Sequence, residues 1–271
     1  MADTAIPVGN RIWRGVTGRD DVREVPEETP VALVFDGSSE AVMMATPADL
    51  EDFATGFAIT EGLITKASDI RRIEIVPHPA GIEARVWLQP GLGPERLMRR
   101  RTRTGPTGCG LCGLESLDDA LRDLSPVQDG LVLSHDDVLA AVAALEAAQP
   151  LSARTRAVHA AGLWMPERGL IAAREDVGRH NALDKLAGAL MRSGHDAGSG
   201  AVVLTSRVSV EMVEKTVAMG AQMLIAISAP TALALRRAEQ FGVTVVAIVR
   251  SDGFEIFTHP QRLVAGLFMT A

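Results

Sequence analysis

Residues 201–249 read AVVLTSRVSVEMVEKTVAMGAQMLIAISAPTALALRRAEQFGVTVVAIV. Three apolar runs, AVVLTS (201–206), MLIAIS (223–228) and VTVVAIV (243–249), have the composition of strands buried on both faces. The segments between them, VSVEMVEKTVAMGA and PTALALRRAEQFG, carry apolar residues at helical spacing, and Gly242 is placed to cap the second helix. The order is βαβαβ, so the three strands are expected to run parallel, joined by helical crossovers.

Open parallel sheets bind ligands beyond the carboxyl ends of their strands, where helix N-termini present free backbone N–H groups. Those ends read Thr205, Ser206 and Arg207, then Ser228 to Thr231, then Arg250, Ser251, Asp252 and Gly253. Helix capping accounts for single hydroxyls such as Ser209 or Ser228. It does not account for arginines at equivalent places, Arg207 and Arg250, so the expectation is a crevice for an anion or a nucleotide phosphate. Neither GxGxxG after the first strand nor GxxxxGK[ST] is present, which removes the Rossmann dinucleotide site and the Walker phosphate loop.

Upstream, GLIAAREDVGRHNALDKLAGAL (169–190) reads as a strand ending at Arg174, Glu175 and Asp176, followed by a helix over Asn181–Leu190. Gly178, Arg179, His180 and Asn181 fall at the strand-to-helix turn, which makes Arg179, His180 and Asn181 candidates for the same binding crevice. Further upstream, VALVF, AVMMA, IRRIEIV and EARVWLQ alternate as short strands around a helix over Leu50–Leu63, with Thr46 before Pro47 as its expected cap. The expected organisation is α/β, with an N-terminal segment (1–21), a small α+β domain (22–90), an Arg/Gly-rich connector (91–130) and a larger C-terminal α/β domain (131–271).

The connector holds the only cysteines, Cys109 and Cys112, in TGCGLCG. Such a pair can be a redox couple, half of a zinc site or a sulfur carrier. Zinc would need two histidines as well, and none of His78, His135, His159, His180, His195 and His259 forms an HxxxH pair. The HxE and PCxxC signature of zinc deaminases is also missing, with Gly108 in the proline's place. No structural metal is expected. Arg96, Arg99, Arg100, Arg101 and Arg103 precede the pair, and LESLDDALRDL after it has helical periodicity. An arginine field and a helix N-terminus both favour thiolate over thiol, lowering a reference pKa of about 8.5. Gly105, Gly108, Gly110 and Gly113 leave the sulfurs sterically open.

Composition narrows the function classes. A formal charge of −7 disfavours a general nucleic-acid binder. The longest apolar stretch, 138–145, is too short to span a membrane, and the N-terminus has no apolar signal core, so a cytoplasmic protein is expected. The 47% hydrophobic content is enough for a sizeable core.

Taken together and in order, ATPADLEDFATGFAITEG, TGCGLCG, EDVGRHNALDKLAG, SRVSVEMVEK, SAPTALALRRAEQFG and the terminal THPQRL resemble the FdhD/NarQ family, the accessory sulfur carriers of formate dehydrogenase. The resemblance implies a cytidine-deaminase-like, three-layer C-terminal domain. It also implies a function, in which sulfur is accepted as a persulfide from a cysteine desulfurase. That sulfur then passes to the molybdenum of the bis(molybdopterin guanine dinucleotide) cofactor before the cofactor enters the formate dehydrogenase apoenzyme. By the same resemblance Cys109 carries the persulfide, Cys112 assists, and the cofactor-binding stretch maps onto Ile248, Val249, Arg250, Ser251, Asp252 and Gly253. A homodimer is expected. The alternatives are a non-enzymatic chaperone for the guanine-containing cofactor and a dithiol redox module. One departure stands out: where the family has TGGxH, this chain has Thr155, Arg156, Ala157, Val158 and His159, with both glycines replaced. A smaller one is Asp36 in FDG, where NG is common.

Overall fold

The computed structural model describes residues 3–92 and 122–265. The chain opens with a long two-stranded hairpin, β1 (Ala5–Arg14) and β2 (Thr17–Pro26). Strand β2 runs through the expected boundary at residues 21 and 22. A four-stranded sheet follows, from β3 (Thr29–Phe35), β4 (Ser38–Ala45), β5 (Ile70–His78) and β6 (Gly81–Leu88), in the order β4-β3-β6-β5. The β3–β4 turn places Asp36 at φ 47° and Gly37 at φ 83°, conformations that Asp and Gly tolerate best. Helix α1 (Leu50–Thr60) covers this sheet and buries Phe53, Ala54, Phe57 and Ala58 against Val31, Leu33 and Phe35.

Thr46 does not cap α1. The cap position is Asp49, at φ 53° with no side-chain cap bond. Thr46 is buried and tied elsewhere, its backbone N–H donating to Asp176 at 3.0 Å and its hydroxyl accepting from the Val177 N–H at 3.1 Å. Tertiary demand has overridden the local capping signal.

The larger unit contains β7 (Leu133–Ser134), α2 (His135–Ala147), α3 (Pro150–Thr155), β8 (His159–Met165), β9 (Gly169–Asp176) and α4 (Arg179–Ser193). It continues through β10 (Ala201–Leu204), α5 (Val210–Ala218), β11 (Met223–Ala226), α6 (Ala232–Phe241), β12 (Thr244–Arg250), β13 (Gly253–Ile256) and β14 (Leu263–Val264). Six strands form one sheet in the order β13-β12-β11-β10-β8-β9. The expected parallel trio β10, β11 and β12 lies at its centre, and β8, β9 and β13 extend it with antiparallel pairings. Helices α4, α5 and α6 pack on one face through Leu183, Leu186, Met212, Val213 and Ala238, and α2 packs on the other through Val138, Ala141 and Leu145. The arrangement is a three-layer α/β/α sandwich. As expected, Gly242 closes α6 in the left-handed conformation, φ 75°.

Helices α1 and α4 join the two sheets. They approach so closely that a Cβ on Gly56 would lie 1.6 Å from the Asp184 carbonyl oxygen, and one on Gly188 would lie 1.9 Å from that of Asp52. Glycine is required at both places by lack of space. Beside this contact run buried ion pairs. Lys185, fully buried, donates to Asp176 at 2.6 Å and to the Thr46 carbonyl at 2.8 Å. Lys215 on α5 donates to both Asp184 oxygens, at 2.8 and 3.0 Å, to Glu61 at 3.0 Å and to the Thr60 hydroxyl at 3.0 Å. Burial alone would discharge Lys215, but the carboxylates of Asp184 and Glu61 outweigh it and hold its pKa above the usual lysine value. Burial also pushes the Asp184 carboxyl up, against the pull of Lys215. With both oxygens on one ammonium and a third bond from Thr60 at 2.6 Å, the geometry is that of an ion pair.

Candidate functional site

Strand direction gathers the expected site residues on one edge. Strands β10, β11 and β12 end there together. Because β8 runs against β10, it starts at the same edge with His159, and β9, running against β8, ends there with Asp176 opposite His159. The edge therefore carries the start of α4 with Arg179 and His180, then His159, then Ser206 and Arg207, then Ser228 and Thr231, then the β12–β13 turn.

Part of this polar set serves the fold. Thr205 pairs with β8, its hydroxyl accepting from the Ala160 N–H at 2.8 Å. Ser206 is buried and bonds within its own turn, to the Arg207 carbonyl at 3.1 Å. Thr231 caps α6 by accepting from the Ala234 N–H at 3.3 Å, and the Ser228 carbonyl accepts from Ile248 N–H at 3.3 Å. Asn181 is buried and belongs to the joint between the sheets, donating to Asp176 at 2.9 Å and to the Met44 carbonyl at 2.8 Å. Asp176 takes up two further backbone N–H groups, from Thr46 and Gly178, besides Lys185.

The stretch Ile248–Gly253 divides by role. Ile248 sits at φ 56° inside a break in the β12–β13 register, a costly conformation for a β-branched residue. Val249 is buried in the core under α2. Arg250 turns its guanidinium back onto the Ile227 carbonyl, at the end of β11, and the Val249 carbonyl, bracing the turn while remaining exposed. Ser251 and Asp252 form the exposed turn, and Gly253 opens β13.

Other groups at the edge remain unanswered. Arg207 is exposed, and its guanidinium makes no hydrogen bond or ion pair among the described residues. The Arg179 Nε and Ser209 Oγ atoms are buried without a partner. Ser209 occupies the N-cap position of α5, yet its hydroxyl makes no cap bond, so the capping explanation that suited it in the sequence fails. His159, half-buried, has its pKa lowered by desolvation and then by the positive charge of Arg179, with Asp176 pulling weakly the other way. The ring is thus held neutral, and His180 is buried at the start of α4. Buried donors with nothing to donate to, next to arginines and a helix N-terminus, fit a phosphate-bearing ligand. Among the described residues no cluster of His, Cys, Asp and Glu could hold a metal ion.

Cys109, Cys112, the five arginines before them and the helix expected after them up to residue 121 lie outside the described residues, and the expected end of that helix, Arg122 to Leu124, is not helical. His159 and Ser209 were not picked as ligands from sequence. Only their burial and lack of partners single them out, and neither is visible in one dimension. Arg156, in the altered TGGxH position, sits at φ 54°, where glycine is the residue without strain.

The fold is thus a three-layer α/β sandwich with a set of polar groups gathered at the carboxyl ends of its central strands. The chain belongs to the FdhD/NarQ family, whose profile matches residues 26–264. It is 53% identical over 245 residues to the sulfur carrier protein FdhD of Agrobacterium fabrum, covering 89% of this chain and 90% of that one. It is 52% identical over 241 residues to the protein of the same name from Cupriavidus necator, covering 89% and 83%. A crystal structure of a candidate formate dehydrogenase accessory protein from Desulfotalea psychrophila superposes with a TM-score of 0.76 at 27% identity, over 97% of this chain and 100% of that one. Among the described residues no helix is long and apolar enough to cross a membrane.

Proposed function

We propose that this protein is a sulfur carrier for formate dehydrogenase maturation. The observation that carries the reading is kinship over nine-tenths of the chain with proteins named sulfur carrier protein FdhD, in a sequence whose only two thiols form a CxxC pair. The Cys109 thiolate attacks the outer sulfur of a persulfide on a cysteine desulfurase, and the desulfurase cysteine leaves as its thiolate. Cys109 then holds the sulfur as its own persulfide. Attack of the Cys112 thiolate on the inner sulfur of Cys109 forms a Cys109–Cys112 disulfide and releases hydrosulfide to the molybdenum. An external thiol reduces the disulfide for the next cycle.

The cargo is the bis(molybdopterin guanine dinucleotide) cofactor, which supplies the metal that takes the sulfur. In this reading its pyrophosphates meet Arg207, the Arg179 guanidinium and the N-termini of α4 and α5, and Arg250 holds the β12–β13 turn in shape. Ser206, Ser228 and Thr231 shape the crevice through the backbone bonds they make. Formate dehydrogenase is the client.

Incubation with a cysteine desulfurase and cysteine, followed by intact mass measurement, tests the reading. The wild type should gain one sulfur atom, reversible with a reducing thiol, and Cys109→Ala should gain none. A wild type that takes up no sulfur while still binding the cofactor would make the protein a binding chaperone instead.

A further inference from the structure

A second, separate concavity lies between the β1–β2 hairpin and the end of α3. It is a groove of about 450 Å³, within the size range of small-ligand sites, and its wall includes Asn10, Arg14, Asp21, Arg23, Arg154 and Arg156. Four arginines on one groove are unexpected in a chain of net charge −7. Two of them have structural work. Arg154 pairs with Glu24, which raises the pKa of the arginine and lowers that of the glutamate, and Arg23 donates to the Thr155 carbonyl at 3.2 Å, closing the last turn of α3. The guanidinium groups of Arg14 and Arg156 make no hydrogen bond or ion pair among the described residues, although both residues line the groove. Arg156 holds that place at φ 54°, a conformation that disfavours every side chain. The fold has no evident use for the charge it brings there.

We infer that this groove is a second anion-binding site, specific for a pyrophosphate group. Guanidinium groups reach it from β1, β2 and the end of α3, from different directions. That distribution suits the tetrahedral oxygens of linked phosphates better than the single plane of a carboxylate. Asn10 adds an uncharged donor. Most of the wall is built from residues 10–23, which precede the family match that begins at residue 26. The groove lies apart from the sheet edge, and its assignment does not depend on the sulfur-carrier reading.

Calorimetric titration of the full chain with inorganic pyrophosphate at low salt tests it. Saturable binding that weakens as salt rises is expected, and the double variant Arg14→Ser, Arg156→Gly should lose at least tenfold in affinity. Arg156→Gly removes an unfavourable conformation, so that variant should melt no lower than wild type, which separates lost binding from lost folding. The Arg168→Ser protein, altered at the far β8–β9 turn, should retain the site. A nucleoside diphosphate that binds more tightly than pyrophosphate would place the group within a nucleotide, and equal affinity would identify the bare anion. Wild-type affinity in the double variant, the same loss in Arg168→Ser, or tighter binding of an oligoglutamate peptide than of pyrophosphate would each overturn the assignment.

Discussion

The joint between α1, α4 and α5 and the carboxyl edge of the large sheet are built from similar residues and differ in whether those residues are answered. In the joint, Lys185, Lys215, Asp176 and Asp184 are buried and each meets several partners. At the edge, Ser209 Oγ and Arg179 Nε are buried and meet none. Helix α4 contributes to both, its first residue Arg179 facing the edge and Asn181, Asp184 and Lys185 facing the joint. A dense run of ionisable residues therefore does not mark a binding site by itself. What distinguishes the edge is that buried donors there stand beside exposed arginines and helix N-termini, the surroundings an anion requires.

Substitutions should separate the two regions by size of effect. The largest belongs to Gly56→Ala. Its new Cβ meets backbone on α4, which cannot rotate away, so the loss should exceed the roughly 1–3 kcal/mol of ordinary overpacking and approach the whole stability of the fold. Yield of soluble protein and urea denaturation would show it, and a Gly56→Ala protein as stable as wild type would mean the helices can part easily. Next, Lys185→Met strands Asp176 in the interior and should cost about 3–5 kcal/mol by the same measurement.

A smaller, pH-dependent effect is expected from His159 at the edge. Its folded pKa lies below the ordinary 6.5, so the unfolded chain binds the proton more readily. The stability this neutral ring contributes is present above pH 6.5 and is lost as pH falls from there through the lowered folded value. His159→Gln should flatten the stability profile over that interval and leave it unchanged at pH 8. The smallest effects separate two hydroxyls that look alike in sequence. Thr231→Ala removes a cap and should cost about 1 kcal/mol, whereas Ser209→Ala should stay within about 0.5 kcal/mol and weaken ligand binding instead.

Much of the large sheet was legible because its central strands are buried on both faces and so read as uninterrupted apolar runs. Strand ends follow from strand positions, which is why Ser206, Arg207, Ser228, Thr231 and Arg250 could be placed on one edge in advance. The β1–β2 hairpin was not legible. Stretches such as TGRDDVREVP have no buried face, and exposed Trp13, Val16 and Val22 break any alternation. Nor could periodicity show that Thr46 serves β9 rather than α1, or that Asn181 faces a second sheet, because both depend on partners about 130 residues away. Gly56 and Gly188 looked like ordinary small helix residues, and their necessity appears only when two helices are placed together.

That glycine contact has a thermodynamic consequence. Moving α1 away from α4 would expose Lys185 and Asp176 and part Lys215 from Glu61 and Thr60 in the same motion. Even a partial separation opens the Lys185–Asp176 pair to water and removes two of the partners of Lys215. The small sheet should therefore not melt ahead of the large one, and calorimetry should record a single cooperative heat-absorption peak in which the two sheets unfold together.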